Sequence, residues 1–280
     1  MSVHHCERQA LIRQLIVISM TSSSPSTAPP LLVALSGPSS CGKTTLARLL
    51  ARIFPSTSIL HADDYYLPDS EIPIHRGVQD WDCAEAINIS KLENALQRVK
   101  HGEGVEEVRD GVASMEIPEG EGEEVQWKEV VGRLREDMER WAEAMRAEKG
   151  EGWRPRRLVI VDGFLLLGPS VQSIRALFDV KVLLRSRYED SKRRREARSG
   201  YTTLEGWWED PPSYFDEIVW PSYVKQHGFL FEGGDVQASV REDVAGMEGI
   251  EVVPGMGQRS LKETLDWAVG IVRKGLENER

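Results

Sequence analysis

The sequence has few cysteines, no long apolar run and no excess of positive charge. Its 280 residues include three scattered cysteines, Cys6, Cys41 and Cys83, and no CxxC pair. So few cysteines exclude a disulfide framework and a cysteine-based zinc site, and they suit a reducing compartment. No apolar run approaches the ~20 residues of a membrane-spanning helix, so we predict no membrane insertion.

Acidic residues outnumber basic ones, but the excess is confined to one segment. The formal net charge is −10, and nine acidic residues and one basic residue lie between Gly102 and Val125. A nucleic-acid-binding protein usually has a basic face, so this balance argues against that class. The acidic segment has no apolar period, and the helical stripe from Trp127 to Met145 predicts a packed helix after it. We therefore interpret 102–152 as an acidic loop and helix inserted into one domain.

Residues 1–30 are predicted to be a disordered tail, because the tract TSSSPSTAPP is rich in serine and proline. The preceding stretch carries two arginines and one acid, so a weak mitochondrial presequence is an open alternative. A start at Met20 is a second alternative. Otherwise we expect a cytoplasmic protein, with the nucleus as a further compartment, whose folded domain covers 31–280.

Buried strands alternate with helices along this domain. The runs LLVALSG, TSILHADDYY, RRLVIVDGFLLL and LFDVKVLLRSR each read as a short strand, and amphipathic segments such as KTTLARLLARIF lie between them. Apolar runs without polar alternation are typical of strands that are buried on both faces. The pattern predicts an α/β fold of the P-loop NTPase type, with a doubly wound parallel sheet flanked by helices.

The stretch GPSSCGKTTL matches the phosphate-binding pattern GxxxxGK[ST] without a mismatch, and it lies between a predicted strand and a predicted helix. Glycines let the backbone wrap around a phosphate, and the N–H groups at the helix start supply positive charge. We assign Lys43 to the β/γ-phosphates and the Thr44 hydroxyl to Mg²⁺. The predicted ATP-binding residues of this loop are Gly37, Ser39, Ser40, Cys41, Gly42, Lys43, Thr44 and Thr45.

Two further carboxylates are expected at the same sheet edge. Asp162 ends the strand VIVD, where a second metal ligand of a nucleotide site belongs, although a turn aspartate is the alternative. Asp63 and Asp64 end the second strand, and side chains alternate along an extended strand. We therefore choose Asp63 as the catalytic base that accepts a proton from an alcohol, together with Lys43 as the catalytic cation.

The P-loop alone does not distinguish a GTPase, a motor ATPase and a kinase. No NKxD-like guanine-reading motif is present, and no sensor elements of a motor are evident. In the basic run KRRREAR, Arg194 and Arg198 lie four residues apart and are predicted to share a face of a lid helix over the phosphates. Lys192, Arg193 and Arg195 are expected to point elsewhere, into solvent.

Six segments together resemble the nicotinamide riboside kinases, especially fungal ones, within the uridine kinase-like nucleoside kinases. They are GPSSCGKTTL, HADDYYLP, QDWDCAEAIN, VIVDGFLLL, KRRREARSGY and DPPSYFDEIVWPSYVK, and they span about 31–234. The tail and the insertion lie outside the resemblance. It implies ATP-dependent phosphorylation of the ribose 5′-hydroxyl of nicotinamide riboside, and of nicotinic acid riboside, in NAD synthesis.

The resemblance also implies roles for single residues. Asp63 matches the base toward the 5′-hydroxyl, and Asp82 matches the aspartate that binds ribose hydroxyls. Trp81 matches the aromatic residue that stacks on the pyridine ring, and Tyr201 matches the second ring, with one extra residue after Arg198. The acid at Asp162 is one methylene shorter than the glutamate frequent in the family. The predicted substrate-binding set is Asp63, Tyr66, Trp81, Asp82 and Tyr201.

These residues suit a flat cationic ring, because aromatic faces attract cations by ~0.5–2 kcal/mol. The expected ligands are Mg²⁺, ATP and a small nucleoside, without nucleic acid or membrane. Two other functions remain open: a uridine-cytidine kinase, and a non-enzymatic nucleotide sensor whose 102–152 insertion docks a partner.

Overall fold

A computed structural model describes residues 28–103, 109–110, 123–203 and 205–278. The predicted tail, except its last three residues, and most of the predicted acidic loop lie outside the described residues. The described strands are β1 (Leu31–Ser36), β2 (Thr57–His61), β3 (Ile74–His75), β4 (Val78–Gln79), β5 (Arg109–Asp110), β6 (Leu158–Asp162), β7 (Val180–Leu183), β8 (Tyr201–Thr202), β9 (Trp207–Trp208) and β10 (Ile250–Val252).

The described helices flank these strands in sequence. They are α1 (Lys43–Ile53), α2 (Ile89–Lys100), α3 (Glu123–Lys149), α4 (Gln172–Arg175), α5 (Tyr188–Glu196), α6 (Trp220–His227), α7 (Glu242–Glu248) and α8 (Leu261–Glu277). One wider turn of π-helix, Phe215–Val219, leads directly into α6. Among the described residues, no helix combines the length and the apolar character that crossing a bilayer requires.

Six strands form the central sheet in the order β10-β7-β1-β6-β2-β5. The first five are parallel, and β5 pairs antiparallel with β2 at the edge. Parallel neighbours that are joined through helices are the hallmark of a doubly wound sheet, so the predicted fold class is confirmed. Two small hairpins, β3–β4 and β8–β9, lie outside this sheet.

Side chains of β1 alternate between two hydrophobic cores, one on each face of the sheet. Leu31, Val33 and Leu35 pack with residues of α1, α3 and α8. Leu32 and Ala34 belong to the opposite core, with residues of α2 and α6. Every residue of β1 is buried, which explains its uninterrupted apolar sequence.

The long helix α3 covers part of the first core. Val130, Leu134 and Met138 are buried there, and Trp127 and Trp141 are partly buried against the same cluster. Positions three and four residues apart share a helix face, so this stripe is packing surface. Whether 102–152 is an insertion into an otherwise complete domain stays a prediction.

Two predicted boundaries are wrong. Strand β2 ends at His61, and Asp63 and Asp64 lie in the 3-10 turn that follows it. Strand alternation therefore does not decide between these two aspartates. Helix α5 ends at Glu196, so Arg198 lies beyond the helix and shares no helical face with Arg194.

Truncating the α3 stripe should destabilise the whole domain. We expect Leu134→Ala to lower the free energy of unfolding by about 2–4 kcal/mol, because it removes a buried side chain and leaves a cavity. Arg135→Ala, at the neighbouring exposed position, is the control and should change stability by less than about 0.5 kcal/mol. Urea unfolding measures both, and equal stability of the two variants would show that α3 is not part of the core.

Candidate active site

The phosphate-binding loop connects β1 to α1 and requires glycine at both ends of the motif. Gly37 has φ +150°, and a Cβ there would lie 2.8 Å from the Leu184 carbonyl oxygen. Gly42 adopts the left-handed region at φ 96° directly before α1. No side chain caps the start of α1, so its first N–H groups are left for a ligand.

Lys43 begins α1 and folds back over the loop. Its ammonium donates hydrogen bonds to the carbonyl oxygens of Gly37 at 3.1 Å and Pro38 at 2.9 Å. Arg194 approaches the same loop from α5 and donates to the Ser40 carbonyl oxygen at 3.5 Å. Both cations thus lie where the loop would hold a polyphosphate.

Asp162 links the loop to two strands. The Thr44 hydroxyl donates to Asp162 Oδ2 at 2.6 Å, and His61 Nδ1 donates to Asp162 Oδ1 at 2.5 Å. Burial acts to raise the pKa of Asp162, but the hydrogen bonds from His61 and Thr44 outweigh it and hold the pKa below its ordinary value. The hydrogen bond between His61 and Asp162 raises the pKa of His61.

This hydroxyl–carboxylate pair fits a divalent cation that a nucleotide carries. Such ions take one or two protein oxygens and complete their shell with phosphate and water. Within the described ranges, no three His, Cys, Asp or Glu side chains come together as an independent metal cage. Thr44 and Asp162 are therefore the residues that would hold the metal.

Two cavities meet at the phosphate-binding loop. The donor cavity, of about 590 Å³, is lined by Ser40, Cys41, Gly42, Thr45, Arg194 and Arg198, and by the segment after β10. The acceptor cavity, of about 390 Å³, contains every residue predicted to bind the substrate, Asp63, Tyr66, Trp81, Asp82 and Tyr201, together with Ser39, Lys43, Thr44 and Asp162. Ser40 and Arg198 line both cavities. The predicted base thus shares a cavity with the phosphate-binding lysine.

Asp63 lies in the acceptor cavity, and its carboxyl group is less acidic than that of an ordinary aspartate. The open cavity leaves part of its side chain accessible, but the surrounding protein atoms reduce the hydration of the carboxyl group. This reduced hydration, with the nearby charge of Asp162, raises the pKa of Asp63 to about 6. A carboxylate with this pKa is a stronger base than an ordinary aspartate and is still ionised at pH 7. Asp64 lines the same cavity.

Aromatic side chains form the far wall of the acceptor cavity. The rings of Trp81 and Tyr66 meet edge to face at 5.5 Å, and Trp208 lies 5.9 Å from Trp81. Tyr201 lies beneath the guanidinium groups of Arg195 and Arg198, at 5.1 and 5.3 Å. Trp208, on the β8–β9 hairpin, also lines this cavity, and the sequence did not predict it. The two adjacent tryptophans, Trp207 and Trp208, give no sign in the sequence of which ring faces the cavity.

The prediction for Arg195 is wrong, because its side chain is only 6% exposed. It donates two hydrogen bonds to the Asp82 carboxylate, both at 2.9 Å. It also donates to Asp210 at 2.6 Å and to the Ser39 hydroxyl at 3.0 Å. Ser191, one helical turn earlier, is also buried, so these two side chains share the buried face of α5.

Its neighbours in the basic run behave differently. Lys192 pairs with Asp216 at 2.6 Å, and Arg193 pairs with Asp190 while remaining 72% exposed. The predicted exposure therefore holds for Arg193. Arg194 contacts the phosphate-binding loop, and its role toward a nucleotide stays a prediction. No second arginine lies one helical turn from it on α5.

A parallel doubly wound sheet, a phosphate-binding loop and an adjoining acceptor cavity define the class of P-loop kinases. The chain is 34% identical over 248 residues to the nicotinamide riboside kinase of Schizosaccharomyces pombe, covering 88% of this chain and 98% of that protein. It is 36% identical over 210 residues to the enzyme of the same name from Saccharomyces cerevisiae, covering 74% and 81%. Human nicotinamide riboside kinase 1 is 27% identical over 195 residues, covering 69% and 75%.

No protein-family model matches the chain. The similarity to the two fungal enzymes runs over most of both chains. The chain belongs to the nicotinamide riboside kinase family.

Breaking the Arg195 network should be costly. We expect Arg195→Ala to lower the free energy of unfolding by about 3–5 kcal/mol, because it leaves the buried Asp82 carboxylate without its cation. Arg193→Ala, on the exposed side of the same helix, should cost less than about 1 kcal/mol. Thermal and urea unfolding measure the difference, and similar losses in the two variants would contradict the buried network.

Proposed function

We propose that this protein transfers the γ-phosphate of ATP to the ribose 5′-hydroxyl of nicotinamide riboside, which yields nicotinamide mononucleotide for NAD synthesis. The observation that carries this proposal is the position of Asp63, in one cavity with Lys43, Thr44 and an aromatic wall. A base, a phosphate-binding lysine and a platform for a flat ring are the three parts that the reaction needs. The names of the fungal and animal relatives support the same assignment.

The donor nucleotide occupies the loop and the donor cavity in this proposal. Lys43 and the first N–H groups of α1 bind the phosphates, and Arg194 adds positive charge from the lid. Thr44 and Asp162 would hold Mg²⁺, which when bound screens the phosphate charge during transfer. Arg198 lines both cavities, so it can neutralise the phosphoryl group between donor and acceptor.

The acceptor nucleoside occupies the aromatic cavity. Asp63 accepts the proton of the 5′-hydroxyl as the oxygen attacks the γ-phosphate, and Asp82, oriented by Arg195, accepts hydrogen bonds from the ribose hydroxyls. Trp81 and Tyr201 offer ring faces to the pyridinium, and the carboxylates nearby favour its positive charge. Nicotinic acid riboside fits the same contacts and is proposed as a second substrate.

The alternatives differ in what they turn over. A uridine-cytidine kinase would phosphorylate neutral pyrimidine ribosides, whose edges call for directed hydrogen bonds. A nucleotide sensor would bind ATP without transferring phosphate to any nucleoside. ADP release measured with nicotinamide riboside, nicotinic acid riboside, uridine and cytidine separates all three, and turnover mainly on uridine would overturn the proposed substrate.

Asp63→Asn should abolish most turnover and spare the fold. We expect kcat to fall about 10²–10⁴-fold, because the amide cannot accept the proton. ATP binding should be retained, and stability at pH 7 should not fall, since the raised pKa shows that the folded protein disfavours the charged form of this carboxyl. Asp64→Asn is the matched control and should change kcat by less than about 10-fold. Equal losses in both variants would contradict the choice of Asp63.

The pH dependence should report the same group. With a pKa of about 6, Asp63 is about one-tenth ionised at pH 5 and about nine-tenths ionised at pH 7. We expect kcat/KM for nicotinamide riboside to rise tenfold per pH unit below pH 6 and to level off above it. Direct chromatographic measurement of ADP gives the profile, and a rate that stays constant from pH 5 to pH 7 would exclude this base.

A further inference from the structure

His61 lies at the carboxyl end of β2, beside the residue that would hold the metal. In the parallel ladder between β2 and β6, His61 is the direct partner of Asp162. Its Nδ1 lies 2.5 Å from Asp162 Oδ1, and its side chain is 21% exposed.

The Asp162 carboxylate is fixed from two sides. In the part of the chain that the structure describes, His61 donates to Oδ1 and Thr44 donates to Oδ2. Asp162 is itself only 5% exposed. A buried carboxylate that loses one of two donors is poorly solvated and free to rotate about χ2, which would alter the oxygen next to Thr44.

We propose that His61 is a positioning residue, whose imidazole N–H holds the Asp162 carboxylate in the orientation in which the Thr44–Asp162 pair binds the nucleotide's metal. This inference rests on the donor half of the proposed function. Partners that orient metal-binding side chains typically change metal affinity by about 10–100-fold when they are removed. His61 acts through Asp162 and touches neither substrate nor metal.

Two polar substitutions separate the positioning role from general packing. His61→Asn keeps an N–H donor at the position of Nδ1, since both atoms are bonded to Cγ. His61→Gln places its N–H one bond farther along the side chain and loses that alignment. Neither change introduces an apolar residue or a charge, and thermal unfolding of both variants verifies that they fold.

The measurement is the metal effect on ADP binding, which needs no acceptor and no turnover. It is the ratio of the ADP dissociation constant in EDTA to that in excess Mg²⁺, obtained by titration calorimetry. We expect His61→Gln to reduce this ratio about 10-fold with little change in the EDTA value. His61→Asn should stay within about twofold of the wild-type ratio.

His75 provides a matched control. Its Nδ1 lies 2.5 Å from the Asp80 carboxylate in the same kind of pair, away from the phosphate-binding loop. His75→Gln should leave the metal effect unchanged. A wild-type metal effect in His61→Gln, or equal losses in the Asn and Gln variants, would overturn this inference alone. Failure of the wild-type protein to bind ADP would overturn the proposed function and this inference with it.

Discussion

The parallel pairing of β1, β6 and β2 is the constraint on which the site depends. Leu35 pairs with Asp162 across one ladder, and Asp162 pairs with His61 across the next. Three strands consequently end at one edge, and the loop after β1, the acid of β6 and the turn after β2 converge there. A slip of one residue between β1 and β6 would turn Asp162 to the opposite face and separate it from Thr44, and a slip between β6 and β2 would turn His61 away from Asp162.

A second constraint ties the acceptor cavity to the phosphate-binding loop. Arg195 contacts Asp82, Asp210 and Ser39, which belong to three separate segments of the chain. A guanidinium can satisfy several acceptors in one plane. Arg195 therefore holds α5 against the phosphate-binding loop and against the wall of the acceptor cavity. In the proposed function, these contacts hold the Asp82 carboxylate in place to orient the ribose before the nucleoside arrives.

Much of this was predictable because local patterns encode it directly. The P-loop residues from Gly37 to Thr45 follow from glycine spacing, and the sheet follows from apolar runs between helical segments. Asp162 follows from its place at the end of a buried strand. Each of these inferences uses only neighbours in sequence, for which residue chemistry and backbone geometry are tightly coupled.

The rest depends on contacts between distant segments, which the local pattern does not contain. Arg195 is buried because it pairs with Asp82 and Asp210, and these two partners lie 113 and 15 residues away along the chain. His61 matters only because β6 lies beside β2, and Trp208 because a hairpin places it against Trp81. The end of β2 at His61 is instead a local effect, because Ala62, Asp63 and Asp64 after it are residue types that are depleted in strands.

We propose that one sheet edge brings a phosphate donor and a ribose 5′-hydroxyl together over Asp63. Phosphorus NMR of the product from ATP, Mg²⁺ and nicotinamide riboside tests it most directly, because the coupling pattern identifies the phosphorylated carbon. We expect a phosphomonoester signal that is split into a triplet by the two 5′ protons, formed by the wild-type protein and not by Asp63→Asn. A doublet from a ring hydroxyl, or inorganic phosphate alone, would contradict it.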